Sequence, residues 1–190
     1  FKPAFLAAKE LNLKPMFIES LRIARYNPRG TDVSVVLDLM IHDLDLILNL
    51  IPSEVFQISA SGVPIISDTP DIANARIEFE NGYVANVTTS RASLKNERKM
   101  RVFQKNAYIT INFLDKKVDV YNIRELEGEQ ENPFSIIVDP GKVKPKKEIS
   151  FSSLKVPEIN AIRHELSLFA KSIKNNTEPE VTITDGFRSL

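Results

Sequence analysis

Four polar residues recur through an otherwise apolar stretch: Asp38, His42, Asp45 and Asn49 stand at i, i+4, i+7 and i+11. On a helix that spacing puts all four along one face. A carboxylate one turn from an imidazole can orient the ring and leave it able to move a proton near neutral pH, which is general acid/base chemistry. The same residues also suit a solvent-facing stripe with a local Asp–His contact. A metal site built from Asp38, His42 and Asp45 is a third reading, and it would need further ligands from elsewhere in the chain. Asp43 lies off the stripe and reads as a solvated residue. Arg22, Arg29 and Arg91 are candidates for binding anionic groups, because a guanidinium fork matches phosphate oxygens, and each also suits a structural or surface role. His164, beside Glu165, reads as a partly exposed histidine on a late helix.

These side chains need elements to hold them. Val35 to Leu50 is the most apolar stretch in the protein and too long for an ordinary strand, so it reads as a helix. Leu37, Met40, Ile41, Leu44, Ile47, Leu48 and Ile51 follow helical spacing, Thr31 or Ser34 can cap the start, and Pro52 ends it. Before it come a helix over Pro3 to Leu13, a strand over Met16 to Ala24 and a loop over Tyr26 to Ser34 with Pro28 and Gly30 as turn residues. After it the texture changes to strands. Val55 to Ile65 comes first; Ile72 to Phe79 then turns at Asn81-Gly82 into Tyr83 to Thr89, the strongest short-range hairpin signal available. Arg98 to Gln104, Ala107 to Phe113 and Lys117 to Ile123 extend the pattern as one antiparallel meander. The acidic Glu125 to Glu131 and the Lys- and Pro-rich Gly141 to Lys147 read as solvated loops.

A last strand over Glu148 to Leu154 precedes an amphipathic helix over Pro157 to Lys174, with Ile159, Ile162, Leu166, Phe169 and Ile173 on one face. The sum is an α+β architecture: a large, mainly antiparallel open sheet with helices packed on one face.

Composition narrows the function further. The 190 residues balance 25 Lys+Arg against 25 Asp+Glu, which gives no electrostatic reason to expect nucleic acid or an anionic membrane as a partner. With Cys at 0 there is no disulfide or thiolate chemistry, and the chain suits a reducing, cytoplasmic compartment. The six glycines are all isolated, so no Gly-rich loop can cradle a di- or triphosphate, and a dinucleotide-binding Rossmann domain is absent from the sequence. No apolar run approaches the roughly 20 residues that span a bilayer, and Phe1-Lys2-Pro3-Ala4 is not a signal peptide. The chain lacks an initiator Met and stops just after a helix-starting signal, so both ends are expected to be cut and residues 1–190 to be one domain of a longer protein.

The run Asn27-Pro28-Arg29-Gly30-Thr31-Asp32-Val33, followed by Val35-Val36-Leu37-Asp38-Leu39-Met40-Ile41-His42-Asp43-Leu44-Asp45-Leu46-Ile47, resembles the Asp-x-x-x-His-x-x-Asp segment of the glucose-fructose oxidoreductase, inositol dehydrogenase and rhizopine catabolism (Gfo/Idh/MocA) family. Phe1-Lys2-Pro3-Ala4, Ser90-Arg91 and the stretch from Pro179 through Val181 to Asp185-Gly186 are also similar to it. The resemblance implies a dihydrodipicolinate reductase-like C-terminal domain whose open sheet face forms a homodimer or homotetramer. It implies that NAD or NADP is bound mainly by an N-terminal domain missing from this sequence, with no cofactor-binding residue in this chain. His42 would then be the acid/base at the hydroxyl of a sugar or sugar nucleotide, and Asp38 its orienting or substrate-binding partner, with Arg22, Arg29, Asp45 and Arg91 as substrate-binding candidates. The family's Glu-Lys-Pro lysine has no counterpart here, so Lys2 takes no role. The segment from Arg29 to His42 is especially similar to the branch associated with lipid A precursor biosynthesis, which acts on a UDP-linked N-acetylglucosamine. Two rivals remain: a non-catalytic binding or assembly module of the same fold, and a metal-dependent hydrolase.

Overall fold

The structure, a computed structural model, describes residues 3–28, 33–126, 128, 132–141 and 144–190. Nine strands form one sheet: β1 Phe17–Arg25, β2 Val55–Val63, β3 Ile72–Phe79, β4 Val84–Ser93, β5 Glu97–Gln104, β6 Ala107–Asn112, β7 Lys117–Glu125, β8 Ile136–Val138 and β9 Lys147–Leu154. Their order across the sheet is β2-β3-β4-β1-β5-β6-β7-β9-β8. Helices are α1 Pro3–Lys9, α2 Ile41–Leu50, α3 Ala161–Asn175 and α4 Ile183–Arg188, with a π-helical turn over Val36–Met40 leading into α2.

The expected meander is interrupted. β1 lies between β4 and β5, parallel to β4 and antiparallel to β5, so these two sequence neighbours are not sheet neighbours. The short link from Leu94 to Asn96 passes over the end of β1 and is tied there by Arg25, whose backbone N–H donates to Asn96 Oδ1 at 2.9 Å and whose Nε donates to the Leu94 carbonyl at 2.8 Å. The remaining neighbours pair antiparallel, including the expected β3–β4 hairpin, where Gly82 takes φ +79°. That φ is the left-handed conformation the turn requires and that glycine adopts without a side-chain clash. Strand β8 falls between the two stretches that composition marks as loops, in a segment for which no element is expected.

Period-two alternation separates the sheet's faces. Ile18, Ala73, Ala75, Ile77, Ala85, Val87, Met100, Val102, Ile109, Ile111, Val118 and Val120 are buried on one face. They meet Ala4, Phe5 and Ala8 of α1, Leu39 and Met40 of the π turn, and Leu46, Ile47 and Leu50 of α2 in a single core. Helix α1 stops at Lys9 rather than Leu13, with Asn12 at φ +51°. The long amphipathic helix forms as α3, but none of its residues is buried: Ile162 is 72% exposed, Leu166 63%, Phe169 55% and Ile173 67%. The helix layer on the sheet is therefore made by α1 and α2, while α3 leaves its apolar stripe uncovered.

Candidate active site

The helix expected over Val35 to Leu50 is divided. Its first turn is π-helical, with the Ile41 N–H donating to the Val36 carbonyl, and α-helix proper begins at Ile41. The backbone N–H of Leu37 donates to Ser34 Oγ at 3.3 Å, and that of Asp38 to the Ser34 carbonyl at 2.9 Å, so Ser34 supplies the start. Such i→i+5 turns are rare and concentrate at functional sites. Asp38 stands inside this turn and His42 just beyond it, and both are exposed. One turn further, Asn49 Nδ2 donates to the Asp45 backbone carbonyl at 2.7 Å and to Asp45 Oδ1 at 3.2 Å. Asp45 and Asn49 border a small cavity of about 90 Å³ shared with Phe5, Lys9 and Asp185. Asp38 and His42 are thus open to solvent, while Asp45 and Asn49 run into a crevice between α1, α2 and α4.

The opposite side of the same helix carries the residue that spacing misassigns. Asp43 is 2% exposed rather than solvated. Arg22 of β1 grips it with both prongs, Nε to Oδ2 and Nη2 to Oδ1, each at 2.6 Å. The signal was available: Asp43 follows Leu39 and Met40 at i+4 and i+3 and precedes Leu46, Ile47 and Leu50, so it stands on the helix's apolar side, where a carboxylate needs a buried cation.

Arg91 is also enclosed, at 4% exposure. Its Nε donates to Asp71 Oδ1 at 3.0 Å, its Nη2 to Thr69 Oγ1 at 2.7 Å, and its Nη1 to the backbone carbonyl of Val33 at 2.8 Å. Asp71, which no sequence motif marks, accepts from the backbone N–H groups of Ile65, Ile66 and Ser67 and from the Ser67 hydroxyl. The N–H groups of Ser67 and Ile66, then the Ser67 hydroxyl and the Ile65 N–H, hold its carboxyl far below the usual carboxylate range against the opposing effect of burial. Both arginines, named above as substrate-binding candidates, direct their forks into the protein, Arg22 onto Asp43 and Arg91 onto Asp71, Thr69 and the Val33 carbonyl. Arg29 lies outside the described residues. His164 borders a different groove, with Leu6, Lys9, Leu11, Leu154 and Ile159. Among the described residues no group of three or more His, Asp or Glu is arranged to hold a metal ion, and no helix is long and apolar enough to cross a membrane.

An open nine-stranded sheet backed by the helix layer of α1 and α2 is the architecture of this chain. Residues 19–110 match the model of the GFO/IDH/MocA C-terminal domain. The similarity extends to a particular enzyme: the chain is 39% identical over 108 residues to UDP-N-acetylglucosamine 3-dehydrogenase of Acidithiobacillus ferrooxidans, a match covering 57% of this chain and 34% of that protein. The solved structure of that dehydrogenase, GnnA, superposes with a TM-score of 0.83 at 28% identity, covering 99% of this chain and 56% of the other. Levoglucosan dehydrogenase in complex with NADH shares the fold, with a TM-score of 0.74 at 16% identity over 100% of this chain and 58% of that one. The chain thus spans little more than half the length of the solved structures it matches.

Proposed function

We propose that this chain is the catalytic and substrate-binding half of an NAD(P)-dependent oxidoreductase that oxidises a CH–OH group of a sugar or sugar nucleotide, with a UDP-linked N-acetylglucosamine as the leading substrate. The observation that carries this reading is the exposed Asp38/His42 pair on the segment that matches the family. The identity to UDP-N-acetylglucosamine 3-dehydrogenase supports the substrate class.

The chain's own residues suit the proton half of the reaction. As a general base, the neutral His42 imidazole takes the proton of the substrate hydroxyl as the carbon–oxygen bond becomes a carbonyl. Asp38, one turn away, orients the ring and favours the imidazolium that results. A bound nicotinamide supplies the hydride acceptor, so proton and hydride leave together as two electrons are lost from the carbon. The nine-stranded sheet contains no Gly-rich strand-to-helix turn among the described residues, so the dinucleotide falls to an N-terminal domain of the same enzyme. The uncovered apolar stripe of α3 supports a further packed unit beside this one. The open sheet face is the surface for a homodimer or homotetramer, and the enzyme is cytoplasmic.

The test is made on the full-length enzyme carrying this chain, with UDP-N-acetylglucosamine and NAD or NADP. His42→Asn is expected to lower kcat by roughly 100-fold or more. Turnover within a few-fold of the parent would sink the assignment. An absence of nicotinamide reduction by the parent enzyme with any sugar or sugar nucleotide would favour a binding or assembly module instead.

A further inference from the structure

The turn that carries Asp38 is bracketed by two buried arginines, one on each side. Upstream, Arg91 of β4 holds the Val33 carbonyl at 2.8 Å; downstream, Arg22 of β1 holds Asp43, the residue next to His42, through two 2.6 Å contacts. Strands β4 and β1 are neighbours near the middle of the sheet, and Arg22 is in register with Thr89, two residues before Arg91. The two anchor points therefore belong to one rigid piece of sheet. Between them the chain makes a π turn, in which one extra residue changes the azimuth of everything that follows.

Stability alone gives a weak reason for such pairs. A buried ion pair recovers little beyond its own desolvation, and exchange for apolar residues of similar volume is often neutral or stabilising. A bidentate fork does something an apolar contact cannot: it fixes both the rotation and the height of its partner. The floor under this part of α2 is otherwise short or small, with Ser20, Ala85, Val87 and Thr89 all buried, so side-chain interlock does less to set the helix's azimuth here. The hydroxyls of Ser20 and Thr89 have no hydrogen-bond partner among the described residues, whereas Arg22, on the same face, bonds to the helix through Asp43.

We infer that Arg22 and Asp43 are positioning residues for the Asp38/His42 pair: the fork sets the azimuth of α2 after the π turn, while Arg91 fixes the chain before it. This inference rests on the reading of His42 as the acid/base. A fixed near-attack geometry matters because a displacement of about 1 Å can cost roughly 100-fold in rate.

The experiment uses the full-length enzyme and compares four variants by kcat, KM, pH profile and melting temperature. Arg22→Met combined with Asp43→Leu removes both buried charges. It is expected to keep the melting temperature within a few degrees while lowering kcat roughly 10- to 100-fold, with KM changed by no more than about threefold. Arg22→Lys keeps the charge but not the fork and is expected to lose about 10-fold or more in kcat, with the acidic limb of the oxidation profile, which protonation of the His42 base would set, displaced in pH. Should the double variant fail to fold, Arg22→Lys and Asp43→Asn carry the test through the same split between kcat and KM. A folded double variant, or a folded Arg22→Lys, with kcat within twofold of the parent overturns the inference. His42→Asn is the control: if it retains turnover, the acid/base reading fails; if it does not and the double variant does, only the positioning role fails.

Discussion

The two faces of one sheet treat charge in opposite ways. On the helix-covered face two ion pairs are buried: Arg22 grips Asp43 with both prongs and Arg91 meets Asp71 through Nε, each more than nine-tenths enclosed. On the open face charge is abundant and half exposed. Glu19 meets Arg101 at 2.6 Å, Arg76 meets Glu78 at 2.8 Å and Lys117 meets Asp119 at 3.0 Å. Beside them runs a row of aromatic rings: Phe17, Phe103, Tyr108, Tyr121 and Phe151 are successive register partners across β1, β5, β6, β7 and β9. Tyr108 and Tyr121 stack at 4.2 Å and 5°. On the covered face ion pairs tie α2 and the segment before it to the sheet, whereas the open face presents a broad, mixed surface of rings and half-exposed charges.

The contrast can be broken most forcefully on the covered side. Arg22→Met alone leaves Asp43 buried and unpaired, and should cost about 3–5 kcal/mol, read by denaturant or thermal unfolding. A loss below about 1 kcal/mol would mean that the pair is not held dry, and the two faces would not differ as described.

The Asp71 site adds a pH test. Its carboxyl is held below the ordinary value of about 3.9 by hydrogen bonds from Ser67, Ile66 and Ile65, so the stabilisation it gives is fully present above that value and is lost as pH falls through the lower, folded-state value. Asp71→Asn should therefore lower the melting temperature most at neutral pH, and the gap from the parent should narrow steadily below about pH 4. A gap that stays constant from pH 7 to pH 3 would show that the carboxylate charge is not what holds the loop.

The open face should respond least. A double-mutant cycle on Tyr108→Leu and Tyr121→Leu is expected to give a coupling of about 0.5–1.5 kcal/mol, and one on Glu19→Gln and Arg101→Gln below about 1 kcal/mol and weakened by salt. Couplings several times larger would mean that the face is already buried, as in an assembled oligomer, and sedimentation of the same variants would show dissociation.

Much of this was legible locally. The alternation along β3 and β6, the Asn81-Gly82 turn and the helical run beginning at Val35 are properties of a few successive residues, and they appear in the structure. Spacing alone makes Asp43 look solvated, because the cation that completes its side of the helix lies 21 residues earlier on β1. The π turn was hidden for a related reason. At Val36–Met40 the residue pattern is compatible with either helix type.

By itself the sequence determined the strands' inward faces, the helices' apolar sides and the polar stripe, because side-chain periodicity is a local consequence of backbone geometry. Only the tertiary structure decided that β1 slips between β4 and β5, that Arg22 and Arg91 turn inward, and that α3 stands with its apolar stripe uncovered. Those outcomes depend on pairings between distant segments, where the cost of burying a charge or leaving a backbone group unpaired is settled by whichever partner the whole fold brings within reach.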